Sequence, residues 1–435
     1  MRHRNACILL SFALAIGSLA GVAQAVTYSW TGGGDGVSWN DGANWNQFGS
    51  VPDGDDLAYF TANWGTDPLA ITVPAGAVVQ RLYMVGSSTA GELSFSGGDL
   101  TFSGDQIRNQ NTGGTDITFN IPVAGVTGIQ ATGTGKVSFN DTFNNGSGSQ
   151  VLLYGSTTNN GEIHFNAATT WSGTKMPYDG AIVVVSDPSG LGTGNIYYQN
   201  GGSIPGTGTV AVNADVIVPN STSAGKLGGG TDQQNGLTFA TYEGDTDRTF
   251  QFDCIFDGGT PLDRGTLTIA QNLNGDAGAL TFKMSAQDDL DPVNPGGQRL
   301  YNTKVVIEAG QTLEFEAAGS YFQIYNHLSN FQTTGDGGVV FSGAPDVNGR
   351  SHLVYVPLDH AGGTVITGSA LYQRLSYVDD ECGTLSGGDV TVTADATWDL
   401  GGDYSTAGTG SDETIGTLAG GGTVLMGAAT NTIFA

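Results

Sequence analysis

Four of the chain's six tryptophans, Trp30, Trp39, Trp45 and Trp64, crowd its N-terminal segment. They stand among Asn, Asp and Gly, as in "SWNDGANWN". An exposed indole in such company stacks on a sugar ring while the polar atoms take its hydroxyls. Trp30, Trp39 and Trp45 are therefore candidate carbohydrate-binding residues. Bulky rings also plug the open end of a repetitive fold, and that capping role is the leading expectation. Two acidic stretches could hold calcium through carboxylate oxygens: Asp53, Asp55 and Asp56 in "PDGDD", and Asp288, Asp289 and Asp291 in "AQDDLDP". Neither has the Glu and spacing of an EF-hand loop. Calcium is the one cofactor the residue pattern suggests. The most enzyme-like stretch is "GRSHLVYVPLDHAGG". There, beside Arg350, His352 would act as a base and Asp359 would orient His360. The plainer alternative is that His352 lies in an alternating strand and Asp359–His360 opens a Gly turn. Asp379, Asp380 and Glu381 form an acidic run that is expected to face water. No Gly-x-Ser-x-Gly, His-Glu-x-x-His, P-loop or dinucleotide fingerprint is present. No Cys-x-x-Cys is present either, which disfavours zinc. A non-catalytic protein is expected.

These residues need a frame, and composition describes it. The chain has 435 residues, of which 70 are Gly, 39% are hydrophobic and only 13% are charged. Gly is about twice its usual share and charge about half, which points to many short strands joined by tight turns. "LSFSGGDLTFSG" nearly repeats itself, and related phrases recur: Ile117-Thr-Phe119, Val137-Ser-Phe139, Ile163-His-Phe165, Leu237-Thr-Phe239, Leu280-Thr-Phe282, Leu313-Glu-Phe315 and Val339-Val-Phe341. Each sets an aliphatic residue and a Phe two apart, on one face of a strand. The uneven spacing excludes a strict nonapeptide solenoid and suits an irregular coil, whose stacked turns would place Phe over Phe in a continuous core. Residues 215–265 and 284–303 are the expected long excursions. Cys254 and Cys382 would lie on the order of five or six turns apart at about 4.8 Å each. That is beyond the roughly 7 Å reach of a disulfide, so both are expected to be unpaired.

Charge and termini bound the setting. With 14 basic and 41 acidic residues the net charge is −27, which repels nucleic acid and anionic membranes. Arg2, His3 and Arg4 precede an apolar run from Ala6 to Leu19, and Ala23-Gln24-Ala25 ends it with a small-x-small pattern. This reads as a secretory signal cleaved before Val26. No later stretch approaches a membrane-spanning helix.

Two stretches carry a family resemblance. In "TTWSGTKMPYDGAIVVVSDPSGLGTGNIYYQNGGSI", Trp171-Ser172-Gly173 is followed by a strand, Ala181 to Val185, then the turn Gly190 to Gly194 and the turn Asn200-Gly201-Gly202. This resembles one unit of the autotransporter-associated β-strand repeat. "TWDLGGDYSTAGTGSDETIGTLAGGGTVLMG" resembles the unit carrying the family's "IGsLaGsGtV" phrase, here Ile415 to Val424. The opening from Tyr28 to Phe60 is similar to the first segment of large exported proteins that contain the repeat. The resemblance implies an all-β, right-handed parallel β-helix with irregular loops, at the cell surface or outside the cell. Its organisation would be a signal peptide at 1–25, a Trp-rich capping segment at 26–75 and a β-helix at 76–435. No C-terminal membrane barrel of alternating strands is legible, so the chain reads as freely secreted or as part of something longer. The expected function is that of a non-catalytic surface or matrix component, structural or adhesive, whose partners would be surface proteins or polysaccharides. The rival expectation is a carbohydrate-binding or polysaccharide-degrading β-helix protein.

Overall fold

Leu93 and Phe95, Leu100 and Phe102, Ile117 and Phe119, Val137 and Phe139 all point inward and are at most 2% exposed. The repeated phrases are short strands, among them Leu93–Gly97 and Leu100–Phe102. With only three to five residues each, they bury alternate side chains. Gly97 and Gly104 close the twin phrases at φ of +103° and +112°, a conformation that glycine adopts without strain. At Gly98 a Cβ would stand 2.3 Å from the Ala75 nitrogen. The second glycine is thus required by close approach of the preceding turn.

This computed structural model describes residues 25–425 apart from 48, 105, 146–149, 157, 160, 174, 195, 197–206, 220–226, 229–235, 255–261, 264, 288–297, 301–302, 325–331, 356–357, 375, 378–380, 383–384, 387 and 401–414. Three strands make each turn. Arg81–Val85, Leu93–Gly97 and Leu100–Phe102 are followed by Gln106–Asn109, Ile117–Phe119 and Val123–Ala124, each in parallel register with its counterpart. Continued along the chain, this gives a parallel β-solenoid of about 11 turns with essentially no helix. An 11-stranded sheet runs from Leu69–Val73 to Gln332–Thr334. Sheets of 7 and 4 strands complete the early turns, and two of 8 strands the later ones. Among the described strands only Ser376–Tyr377 and Glu381–Cys382 pair antiparallel. No helix among the described residues is long and apolar enough to cross a membrane.

Register makes the core. Phe95 pairs with Phe119, Phe119 with Phe139 and Phe139 with Phe165. Their rings stack 5.0, 5.3 and 5.3 Å apart at 8° to 12°. Later, Phe250 stacks on Phe282 and Phe315 on Phe341, each at 5.5 Å. A third column runs Phe322, His352, Tyr372, Trp398. Outside the Phe ladder, Asn140 donates to Asn120 and Asn166 to Asn140, both at 2.9 Å.

Turn length varies: Leu93 pairs with Ile117, but Leu267 pairs with Val305. The stretch 215–265 is not one excursion. It carries the strands Val216–Val218, Leu227–Gly228, Gly236–Thr241, Arg248–Cys254 and Leu262–Asp263, because its apolar alternation continues through Gly-rich connections. Cys254 lies in Arg248–Cys254. Thr364–Ile366 stands four strand steps further along the same sheet, roughly 19 Å away at about 4.8 Å per step, and Cys382 follows it in the separate antiparallel pair of Ser376–Tyr377 with Glu381–Cys382.

The Trp-rich segment shares this core. Trp39 and Trp45 are 1% and 0% exposed, and Trp45 Nε1 donates to the Trp39 carbonyl at 2.9 Å. The Trp45 ring lies 5.0 Å from those of both Trp30 and Trp39. Trp30 stacks on Phe60 at 5.8 Å. Coiling begins inside this segment: Thr27–Ser29 pairs with Leu57–Thr61, which pairs with Arg81–Val85.

Candidate functional site

The residues singled out by sequence fall at separate places. A stacking sugar needs an open ring face. Trp39 and Trp45 are buried and have none to offer. Trp30 is half-buried, with one face on Phe60. The polar neighbours knit the loop instead. The Asn44 carboxamide oxygen accepts from Gly34 and Gly36 N–H, and its amide donates to Asp35 and the Ser38 carbonyl. Asp35 also accepts from the Ser38 hydroxyl and from Val37 and Ser38 N–H, which hold its carboxyl well below the usual range. Asp56 is 7% exposed and its carboxylate accepts from Val26 N–H at 3.1 Å and Asp53 N–H at 3.2 Å. Asp53 accepts from Asp55 N–H. These carboxylates serve the turn's own backbone, and among the described residues no three His, Cys, Asp or Glu side chains gather as a metal site would need. Asp288, Asp289 and Asp291 lie outside the described residues.

His352 and His360 are each buried and engaged by other groups. His352 is a rung of an aromatic column, stacked on Phe322 at 5.9 Å, with Nε2 donating to the Ser342 carbonyl at 2.9 Å. Burial lowers its pKa to about 4. The ring nitrogens of His360 meet the Thr333 and Thr364 hydroxyls at 3.4 and 2.9 Å, and burial lowers its pKa to about 4 as well. Asp359 alternates to the exposed side of its strand. Arg350 lies 3.9 Å over the Tyr321 ring and pairs with Asp346 at 2.8 Å.

One cluster of titratable groups lies on the outer face of the 11-stranded sheet. In Glu162–Phe165, Ile163 and Phe165 point inward, so Glu162 and His164 share the outer face. Lys136 precedes Val137, which pairs with Ile163, and so stands one turn before Glu162. Tyr242 comes from three strands further on and packs with Ala211 and Val184, outward residues in register with His164. Glu162 Oε2 accepts from His164 Nε2 at 2.7 Å and from the Tyr242 hydroxyl at 2.8 Å, and lies 3.2 Å from Lys136 Nζ. Lys136 also donates to the Tyr242 oxygen at 3.3 Å. Burial alone would raise the Glu162 carboxyl, but the bonds from His164 and Tyr242 and the Lys136 charge bring its pKa down to about 2. Burial opposes the Lys136 charge, yet Glu162 and Tyr242 outweigh it and raise its pKa. Burial and the Glu162 bond raise Tyr242. The result is an ionised Glu, a charged Lys and a protonated Tyr, each satisfied by the others. Such a set fixes an ammonium on a surface and leaves neither the Glu nor the Tyr poised as a base near neutrality. The alternation in "EIHF" could have placed Glu162 and His164 together. Nothing local could have recruited Lys136 and Tyr242.

One buried cation stands apart. Lys175, 1% exposed, donates to the Gly173 carbonyl at 3.0 Å and to the Thr193 carbonyl, 4.8 Å from the centre of the Trp171 ring. Among the described residues no carboxylate pairs with it. Burial lowers its pKa to about 7. Comparison of the chain with protein-family models, with curated proteins and with solved structures found no match.

Proposed function

We propose that this protein is an exported, non-catalytic scaffold of the autotransporter-associated β-strand-repeat kind, acting at the cell surface or in an extracellular matrix as a structural and adhesive rod. The observation that carries this reading is the continuous register of inward side chains. Stacked Phe columns and an 11-stranded sheet make a stiff coil on which outward side chains repeat about every 4.8 Å. The main titratable cluster is internally satisfied, as suits a surface built to persist. The test is to express the full chain in its host or a Gram-negative surrogate and follow it by fractionation and mass spectrometry. Recovery outside the cytoplasm with residues 1–25 removed supports the reading. Retention in the cytoplasm with the N-terminus intact defeats it, and so does turnover of a polysaccharide by the purified chain.

A specific face favours glycan contact as the adhesive mode. On the outside of the 7-stranded sheet, register aligns Tyr59, Tyr83, Arg108, Gln130, Tyr154 and the position of Tyr178. Tyr59, Tyr83, Arg108, Gln130 and Tyr154 are half-buried, and the seven strands contain no Asp or Glu in a chain of net charge −27. Arg81 donates to the Tyr83 hydroxyl at 2.8 Å, and the Arg108 guanidinium lies 4.9 Å over the Tyr83 ring. Flat rings beside amide and guanidinium donors suit sugar hydroxyls. A glycan array with residues 26–435 checks this. Binding should be lost in Tyr154→Ala and kept in Lys283→Gln, whose lysine pairs with Glu316 on another sheet. Equal loss in both variants would remove the Tyr column from consideration.

A further inference from the structure

A sequence reading and a structural observation meet at Val26. On the export reading, the small-x-small pattern Ala23-Gln24-Ala25 puts the cleavage between Ala25 and Val26. The structure places the Val26 nitrogen 3.1 Å from Asp56 Oδ1. Asp56 is only 7% exposed, and among the described residues its carboxylate takes two hydrogen bonds, both from neutral backbone N–H groups, of Val26 and Asp53. Among the described residues no countercharge meets this enclosed carboxylate, and none of their salt bridges includes it.

We propose that cleavage at Ala25–Val26 supplies that countercharge: the new α-ammonium of Val26 forms an ion pair with Asp56 that locks the first strand of the coil. The inference rests on the export reading above. Water adds across the Ala25–Val26 peptide bond at an export peptidase. Its hydroxyl goes to the Ala25 carbonyl carbon and its hydrogen to the Val26 nitrogen, which takes a further proton from solvent. One neutral donor becomes a charged group with three, at the same place. Charge-assisted bonds of this kind are roughly twice as strong as neutral ones.

The position makes the pair consequential. The Val26 carbonyl accepts from Leu57 N–H at 2.9 Å, next to the pairing of Thr27–Ser29 with Leu57–Thr61. The main-chain oxygen of Asp56 accepts from Gln80 and Arg81 N–H at 2.9 and 3.3 Å. Asp56 thus joins the N-terminus to the next turn. An uncleaved chain keeps an amide at this point, so the fully clamped first turn would be a property of the processed protein.

The test compares residues 26–435 bearing a free Val26 amine with the same chain retaining Ala25, each with Asp56 and with Asp56→Asn. The readouts are the pH dependence of α-amine acylation, followed by mass spectrometry, and urea unfolding. The Val26 amine should titrate about one unit or more above its ordinary value of about 7.7–8.0, and return to it in Asp56→Asn. Near pH 7 the free-amine chain should have an unfolding constant about tenfold smaller than the Ala25-extended chain. That advantage should vanish in Asp56→Asn, and also as pH rises through the raised amine pKa. An ordinary amine titration, or an advantage that survives Asp56→Asn, overturns the proposal. If Asp56→Asn does not fold, the amine titration and the Ala25 comparison still decide. Mass spectrometry of the exported protein separates the two readings. A mature N-terminus away from Val26 sinks the cleavage step and so the proposal, while protein that never leaves the cytoplasm sinks the export reading itself.

Discussion

Lys175 and His352 show what one residue inside a solenoid costs. Lys175 is held near a pKa of 7 by burial, against about 10.4 in an unfolded chain. Between those values the unfolded chain holds a proton that the folded chain lacks, so stability rises with pH across that window. Below pH 7 both states are protonated and the penalty is complete, on the order of a few kcal/mol. Lys175→Met removes it but leaves the Gly173 and Thr193 carbonyls without their donor, at about 1–3 kcal/mol. The variant should therefore be more stable than the parent below pH 7 and lose that lead by about pH 10, as urea unfolding at stepped pH would show. A constant difference at all pH values would mean the lysine is not the titrating group. His352 and His360 act at the other end. Both have pKa values lowered to about 4, so between about pH 6.5 and 4 the unfolded chain takes up protons the folded chain refuses, and stability falls as pH falls. His352→Phe extends an aromatic column already formed by Phe322 and Tyr372. It should flatten the acid limb by about one proton's worth of slope, measured by the same titrations. An unchanged slope would remove His352 from the account.

At the scale of strands, the Leu-x-Phe phrase is the unit that folds. Phe119 is fully buried between Phe95 and Phe139. Phe119→Ala should cost about 3–5 kcal/mol, whereas Asn140→Ala in the exposed ladder beside it should cost no more than about 1 kcal/mol. Denaturant unfolding of the two variants checks the contrast, and similar losses would shift the weight from the Phe column to the amide ladder. The phrases were legible because alternation and turn glycines are local signals, and their recurrence from Leu93 to Phe341 pointed to an all-β coil. Register was not, because it depends on how many residues each loop takes up, as the step from Leu267 to Val305 shows against that from Leu93 to Ile117. The Lys136–Glu162–His164–Tyr242 cluster is a product of register and was invisible for that reason. The Trp-rich segment is ambiguous in a different way. Asn44, Asp35 and Asp41 resemble a sugar's hydrogen-bonding shell, yet they accept from and donate to the loop that folds Trp39 and Trp45 inward. Composition alone does not distinguish a polar shell around a ligand from one around a backbone.

Across the whole molecule, each turn rests on its neighbours, so stability is close to a sum of turn and interface contributions, and damage can stay local. The N-terminal end gives the sharpest test of this. Trp45 is fully buried and touches Tyr28, Trp30, Trp39 and Phe60 with ring centroids 5.0 to 6.4 Å away. It holds the loop over the first turns of the coil. Trp45→Ala should cost about 3–5 kcal/mol there. Hydrogen-exchange protection should fall in Thr27–Ser29, Leu57–Thr61 and Arg81–Val85 and remain in Thr312–Ala318 and Gly338–Ala344, many turns away. A loosened first turn also bares strand edges able to pair with another chain, so sedimentation should show concentration-dependent association that the parent lacks. Uniform loss of protection along the chain would instead mean that the solenoid melts as one cooperative body. The Trp cluster would then be ordinary core rather than an end piece, and the rod would owe its persistence to long-range coupling rather than to a guarded end.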